Sequence, residues 1–136
     1  MEQRHKDLAA SMQAMFEEAY FEFASHLSDF PVSSDYLGAG HNVLGLRTLS
    51  KIYGLAGLRV GYALCSPQFR SAVDVVRQPF SVNAIAQAAA AEAILHQDDV
   101  TDRVEKNLVE RMFVEEGLDE LGLEHADSQA NFVWID

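Results

Sequence analysis

A chain of 136 residues, 49% of them apolar, has the size of one domain and enough material to bury a core. Its 21 acidic against 10 basic residues leave a formal charge of -11, which argues against nucleic acid or an anionic membrane surface as partner. Cys65 is the single cysteine, which excludes an internal disulfide, and no apolar run nears the roughly 20 residues of a membrane span, so a reducing, cytoplasmic setting is expected.

In chain order, residues 6–23 place Leu8, Met12, Met15 or Phe16, and Ala19 or Tyr20 at helical spacing with few turn residues, which by itself predicts an amphipathic helix. Residues 28–40, with Pro31, Ser33, Ser34, Gly38 and Gly40, read as loop. Residues 43–46 and 60–65 read as two strands, separated by a turn around Gly54 and Gly57 where backbone can approach closely. Cys65 follows the second apolar run and reads as a small buried residue. Ser66 followed by Pro67 opens a helix to about residue 77, which Pro79 ends, and Ser81 or Asn83 caps an alanine-rich helix to about residue 96. Asp98 or Asp99 caps a further helix with an apolar stripe through Val100, Val104, Leu108 and Met112, continued by Leu118 and Leu121 and stopped by Gly122. Residues 131–135 read as a closing strand. Strands alternating with helices imply an α/β fold, in which ligands gather at the carboxyl ends of parallel strands.

The most informative run extends from Arg47 to Tyr62 and reads Arg-Thr-Leu-Ser-Lys-Ile-Tyr-Gly-Leu-Ala-Gly-Leu-Arg-Val-Gly-Tyr. Lys51 lies among Leu49, Ile52, Tyr53 and Leu55 rather than in a charged patch, so a buried amine is expected. An apolar pocket favours the neutral amine, which can attack an aldehyde. Pyridoxal 5'-phosphate asks for that amine together with hydroxyls and a guanidinium for its phosphate, here Thr48, Ser50 and Arg59. Other readings stand beside these: the two hydroxyls also suit backbone groups in a turn, and Arg59, between Leu58 and Val60, also suits a buried carboxylate partner.

Three more stretches fall in order around this run: Glu18-Ala-Tyr-Phe-Glu-Phe23 before it, Arg77-Gln-Pro-Phe-Ser-Val-Asn83 with Ala86 and Gln87 after it, and Ser128-Gln-Ala-Asn-Phe-Val133 near the end. Together they resemble the histidinol-phosphate aminotransferases, members of the fold type I, class I/II pyridoxal-phosphate aminotransferases, over about residues 17–136. Enzymes of that family are more than twice as long. The resemblance therefore implies a fragment: residues 17–98 from the cofactor-binding large domain, 99–136 the connecting helix and first strand of the small domain, and 1–16 an atypical segment. The family carries a buried strand just before Glu18, which opposes the helix read from spacing.

Residue by residue, the resemblance implies that Lys51 holds the cofactor's aldehyde and then serves as the base at the substrate's alpha carbon. Thr48, Ser50 and Arg59 fall in the phosphate cup. Tyr20 matches a tyrosine bonded to the ring oxygen, with an ordinary packed aromatic as the alternative. Glu17 stands where the family places an aspartate facing the pyridine nitrogen, and its arm is one methylene longer. The implied reaction moves an amino group between histidinol phosphate and 2-oxoglutarate, giving or consuming glutamate, in a cytoplasmic homodimer. Alternatives are an aromatic-amino-acid aminotransferase, an enzyme like the threonine-phosphate decarboxylases, or a non-catalytic remnant. The fragment alone is expected to be inactive. His5, His26, His41, His96 and His125 show no metal-ligand spacing, and the glycines at 54, 57 and 61 do not form a dinucleotide fingerprint.

Overall fold

The computed structural model describes residues 14–136. Its sheet has three strands in the order β1-β2-β3. β1 (Ala14–Glu17) runs parallel to β2 (Val43–Thr48), with Ala14 opposite Val43 and Glu17 opposite Leu46. β3 (Gly61–Leu64) returns antiparallel to β2, with Gly45 opposite Leu64 and Thr48 opposite Gly61. Between β1 and β2 lie the short helices α1 (Phe21–Ala24) and α2 (Ser33–Gly38), and a 3-10 turn (Ala56–Leu58) lies between β2 and β3. Then follow α3 (Pro67–Val76), α4 (Ala84–Leu95) and α5 (Gln97–Glu120).

Two helix starts follow the local rules. Ser66 accepts a hydrogen bond from the Phe69 amide at 3.2 Å with Pro67 in the first turn, and Asn83 accepts from the Ala86 amide at 2.8 Å. α5 differs from the expectation: His96 occupies its cap position, while Asp98 and Asp99 lie in the first turn, where their charges favour the positive end of the helix dipole. Gly122, at φ 68°, ends it, its amide donating to the Asp119 carbonyl and the Leu123 amide to the Leu118 carbonyl. The expected stripe is covered only near its ends: Val100 and Leu118 are buried, whereas Leu108 and Met112 are exposed.

Three further expectations are corrected. The helix over residues 6–23 gives way to β1 at 14–17, and only Phe21–Ala24 of its end is helical; residues 6–13 lie outside the described residues. Ala14 and Phe16 turn inward and Met15 and Glu17 outward, a period of two that pairing with β2 enforces over the helix propensity of Ala, Met and Glu. The loop over 28–40 contains α2, whose first amide, at Ser33, is satisfied by Glu18, fifteen residues back, so its start signal is not local. The strand over 131–135 is reduced to one antiparallel bridge between His125 and Ile135, because the short 124–126 stretch is its one described partner.

Two clusters form the core. Leu49, Val60, Ala86 and Ala90 pack together under α4, and Phe23, Ile52 and Val100 join α1 to α5; Tyr53 packs against both. Gly45 decides how closely α2 approaches β2, since a Cβ there would lie 2.7 Å from Ser33 Cβ. Gly45→Ala should therefore destabilise the chain by about 1–3 kcal/mol, through overpacking. Gly38→Ala, where nothing lies within 4 Å and φ is not positive, should stabilise it by about 0.5 kcal/mol. Denaturant midpoints of the two variants check both; equal midpoints would remove the steric role of Gly45.

Candidate active site

Because β1 and β2 are parallel, both chains leave the sheet at the same edge, and the residues that follow them meet there. The ladder continues one step beyond β1, where the Glu18 amide donates to the Leu46 carbonyl at 2.8 Å. A turn closed by the Phe21 amide on the Glu18 carbonyl, at 3.1 Å, then places Tyr20 at the edge. On the β2 side, Thr48 Oγ1 accepts from the Ser50 amide at 3.1 Å and the Leu49 amide donates to the Val60 carbonyl at 3.2 Å. The Leu55 amide donates to the Leu49 carbonyl and the Gly54 amide to the Lys51 carbonyl, both at 2.9 Å, which folds the lysine loop into a closed turn. From α5, Arg103 Nη1 donates to the Ile52 carbonyl at 2.8 Å and braces that loop from behind.

The result brings Lys51 and Tyr20 together, with Lys51 Nζ 5.2 Å from the centre of the Tyr20 ring. The ring packs against Phe23 and meets the edge of Phe132, at centroid distances of 6.1 and 5.5 Å. Thr48 and Ser50 sit beside them, the Thr48 hydroxyl serving the turn, which is one of the two roles the sequence left open. Arg59 immediately precedes Val60, whose carbonyl accepts from the Leu49 amide, and so stands at the far end of the same loop. Glu17 and Tyr20 line a cleft of about 340 Å³ together with Phe30, Ser128, Phe132 and Trp134. The Glu17 carboxylate accepts from the Ala19 amide at 3.2 Å.

Two site expectations need correction. Lys51 is exposed rather than buried: Leu49 and Ile52 on either side of it fill the two core clusters, and the turn between them directs the lysine outward. Arg59 is likewise exposed, at φ 54°, because Val60 takes the inward position; its Nη1 donates to the Ala56 carbonyl at 2.9 Å.

Sequence reasoning missed the groups buried beneath the pair. Glu18 is 3% exposed, and its carboxylate accepts from the Ser33 amide at 2.7 Å, the Ser33 hydroxyl at 2.8 Å and Arg47 Nε at 2.8 Å. The Arg47 guanidinium lies 3.4 Å from the centre of the Phe21 ring. Burial alone lowers its basicity, but hydrogen bonds to Glu18 and the Tyr62 hydroxyl overcome this and hold it above the usual arginine value. The available signal was the one charged residue of β2, directly after the run Val43-Leu-Gly-Leu46, which needs a partner if buried. Nearby, burial pushes the Glu22 carboxyl above its usual range, against the opposing pull of its backbone hydrogen bond, Arg47 and the Tyr53 hydroxyl. Among the described residues there is no cluster of three or more metal-ligating side chains and no helix long and apolar enough to cross a membrane.

Comparison with known proteins gives one family. Residues 6–136 match the family described as Aminotransferase class I and II. An aromatic amino acid aminotransferase of Corynebacterium glutamicum is 45% identical over 88% of this chain and 33% of its own length. A protein named histidinol-phosphate aminotransferase 2, from Pseudomonas fluorescens, is 40% identical over 96% of this chain and 35% of its own. The crystal structure of a histidinol-phosphate aminotransferase from Sinorhizobium meliloti, in complex with pyridoxal-5'-phosphate, matches 90% of this chain and 33% of that chain at a TM-score of 0.73 and 33% identity. The chain thus spans about a third of the length of the curated relatives it matches.

The raised carboxyl of Glu22 sets a sign for pH dependence. A group whose folded value exceeds its unfolded one stabilises the fold below the unfolded value, and that contribution is lost as pH rises through the folded value. Glu22→Gln should therefore raise the denaturant midpoint at neutral pH and flatten the loss of stability across the upper carboxylate range. A variant with the native pH profile would show that this carboxyl is not perturbed.

Proposed function

The chain belongs to the class I and II aminotransferases, and on that footing we propose that it carries the cofactor-lysine segment of a pyridoxal-phosphate enzyme, with Lys51 as the lysine. The observation that carries this reading is an accessible amine in the turn that follows two parallel strands, set beside a phenol ring, with an exposed guanidinium at the other end of the same loop, next to Val60, whose carbonyl accepts from the Leu49 amide. The donor set fits the group chemically: a primary amine for an aldehyde, the hydroxyl of Ser50, and a guanidinium that among the described residues gives Nη1 to the Ala56 carbonyl and has further donors for an anion. Pyridoxal phosphate supplies the electron sink for reactions at an amine's alpha carbon.

In this reading Lys51 binds the aldehyde carbon and then carries the proton at the substrate's alpha carbon. Ser50 and Arg59 bind the phosphate, with Thr48 holding the turn that presents them. Tyr20 orients the ring through its hydroxyl. Glu17, whose carboxylate also serves the Ala19 amide, faces the pyridine nitrogen. Residues 17–98 belong to a large domain and 99–136 to the start of a small one.

The substrate pair we propose is histidinol phosphate with 2-oxoglutarate or glutamate, acted on by the complete enzyme as a homodimer. The Corynebacterium relative, at 45% identity, favours aromatic amino acids as a second reading. In a complete enzyme carrying this segment, the ratio of kcat/KM for histidinol phosphate to that for phenylalanine separates the two, a ratio above one favouring the first.

Pyridoxal phosphate followed by borohydride should place the pyridoxyl group on Lys51 in a peptide map; a label confined to Lys6 or Lys106 would remove the assignment. Arg59→Ala should weaken pyridoxal phosphate about tenfold, about 1.4 kcal/mol, and leave phosphate-free pyridoxal unaffected; the size is that of a charge-assisted bond at an exposed site. Equal weakening of both ligands would give Arg59 a structural role only.

A further inference from the structure

We propose that Arg47 and Glu18 are positioning residues whose buried contact sets Tyr20 against Lys51, an inference that rests on the reading of Lys51 given above. Tyr20 lies between Glu18 and Phe21 in the turn that follows β1, and Arg47 grips both of those residues. Its Nε donates to Glu18 Oε2 at 2.8 Å, and its guanidinium carbon sits 3.4 Å from the centre of the Phe21 ring. The same arginine immediately precedes Thr48 on the strand that leads to Lys51. One side chain therefore ties the backbone on both sides of Tyr20 to the strand that delivers the lysine.

The clamp is closed from every direction. Both carboxylate oxygens of Glu18 are used, Oε1 by the Ser33 amide and Oε2 by the Ser33 hydroxyl and Arg47. The side chains of Arg47 and Glu18 are 12% and 2% exposed, and Ser33 is fully buried. The absent Cβ of Gly45 leaves room for the assembly. A buried ion pair is a weak source of stability compared with apolar residues of equal volume. Its hydrogen bonds are directional, however, and fix an orientation that apolar packing leaves free. The orientation fixed here is that of the turn bearing Tyr20, whose ring lies 5.2 Å from Lys51 Nζ.

The test separates positioning from stability. The native chain is compared with the double variant Glu18→Met/Arg47→Met, which removes both charges at once and leaves none unpaired, and with Arg47→Lys, which keeps the buried charge and gives up the planar stack on Phe21. Each receives pyridoxal phosphate. Two quantities are read: the rate at which borohydride fixes the label on Lys51, by peptide mapping, and the circular dichroism of the bound chromophore, which depends on fixed surroundings and not on global stability.

We expect the native chain to label Lys51 with a clear chromophore signal. Folded variants should label it about tenfold more slowly and lose most of that signal, since a misplaced reacting group costs at least that much. Arg47→Lys carries the decision should the double variant fail to fold. Variants equal to the native chain in both readings would overturn the positioning role and leave Lys51 as the cofactor lysine. Label only on Lys6 or Lys106 in the native chain would overturn that reading and this proposal together.

Discussion

The parallel pairing of β1 with β2 is the constraint from which the rest of this structure follows. Antiparallel neighbours would send their outgoing chains to opposite edges of the sheet. Parallel ones deliver both to the same edge, so residues 17–20 and 48–51, distant in the chain, become neighbours. β3 then returns antiparallel and brings Arg59 back to that edge, two residues before it enters the strand. The chemistry-bearing residues of the chain are gathered by strand direction before any side chain contributes.

The chemical content of the site was more legible in the sequence than its geometry. The lysine run, with Thr48, Ser50 and Arg59, can be read from residue types alone, since few environments call for an amine, hydroxyls and a guanidinium in so short a stretch. Helices with local start signals could be read too: Ser66 and Asn83 bond amides three residues ahead, and Gly122 sits in the left-handed conformation that ends α5. What could not be read depends on distant partners. Four residues of β1 match a helix pattern as well as a strand pattern, and only the edge of β2 decides between them. α2 begins where it does because Glu18 satisfies its first amide from another part of the chain.

The burial of the site residues failed for a related reason. Lys51 and Arg59 have apolar neighbours in sequence, which suggests a buried position, yet in a tight turn those neighbours and the charged residue face opposite ways. Leu49 is 1% exposed and Val60 8%, while the charged residues beside them stay in solvent. Local composition therefore predicted the burial of the apolar neighbours and not the exposure of the functional groups themselves. Apolar surface also remains uncovered elsewhere, with Val76, Phe80 and Ile85 at 76%, 97% and 74% exposure.

The bond from Arg103 to the Ile52 carbonyl gives α5 a mechanical relation to the lysine. The helix has 24 residues, so it is about 36 Å long, and Arg103 lies about 9 Å from its first residue. Val100 is buried near its start and Leu118 near its far end, so the helix is held at both ends, and Arg103 braces the lysine turn from its first third. A strut of this kind ties the carbonyl next to the lysine to a rod whose own ends are buried, so the shape of the turn does not rest on its short loop alone.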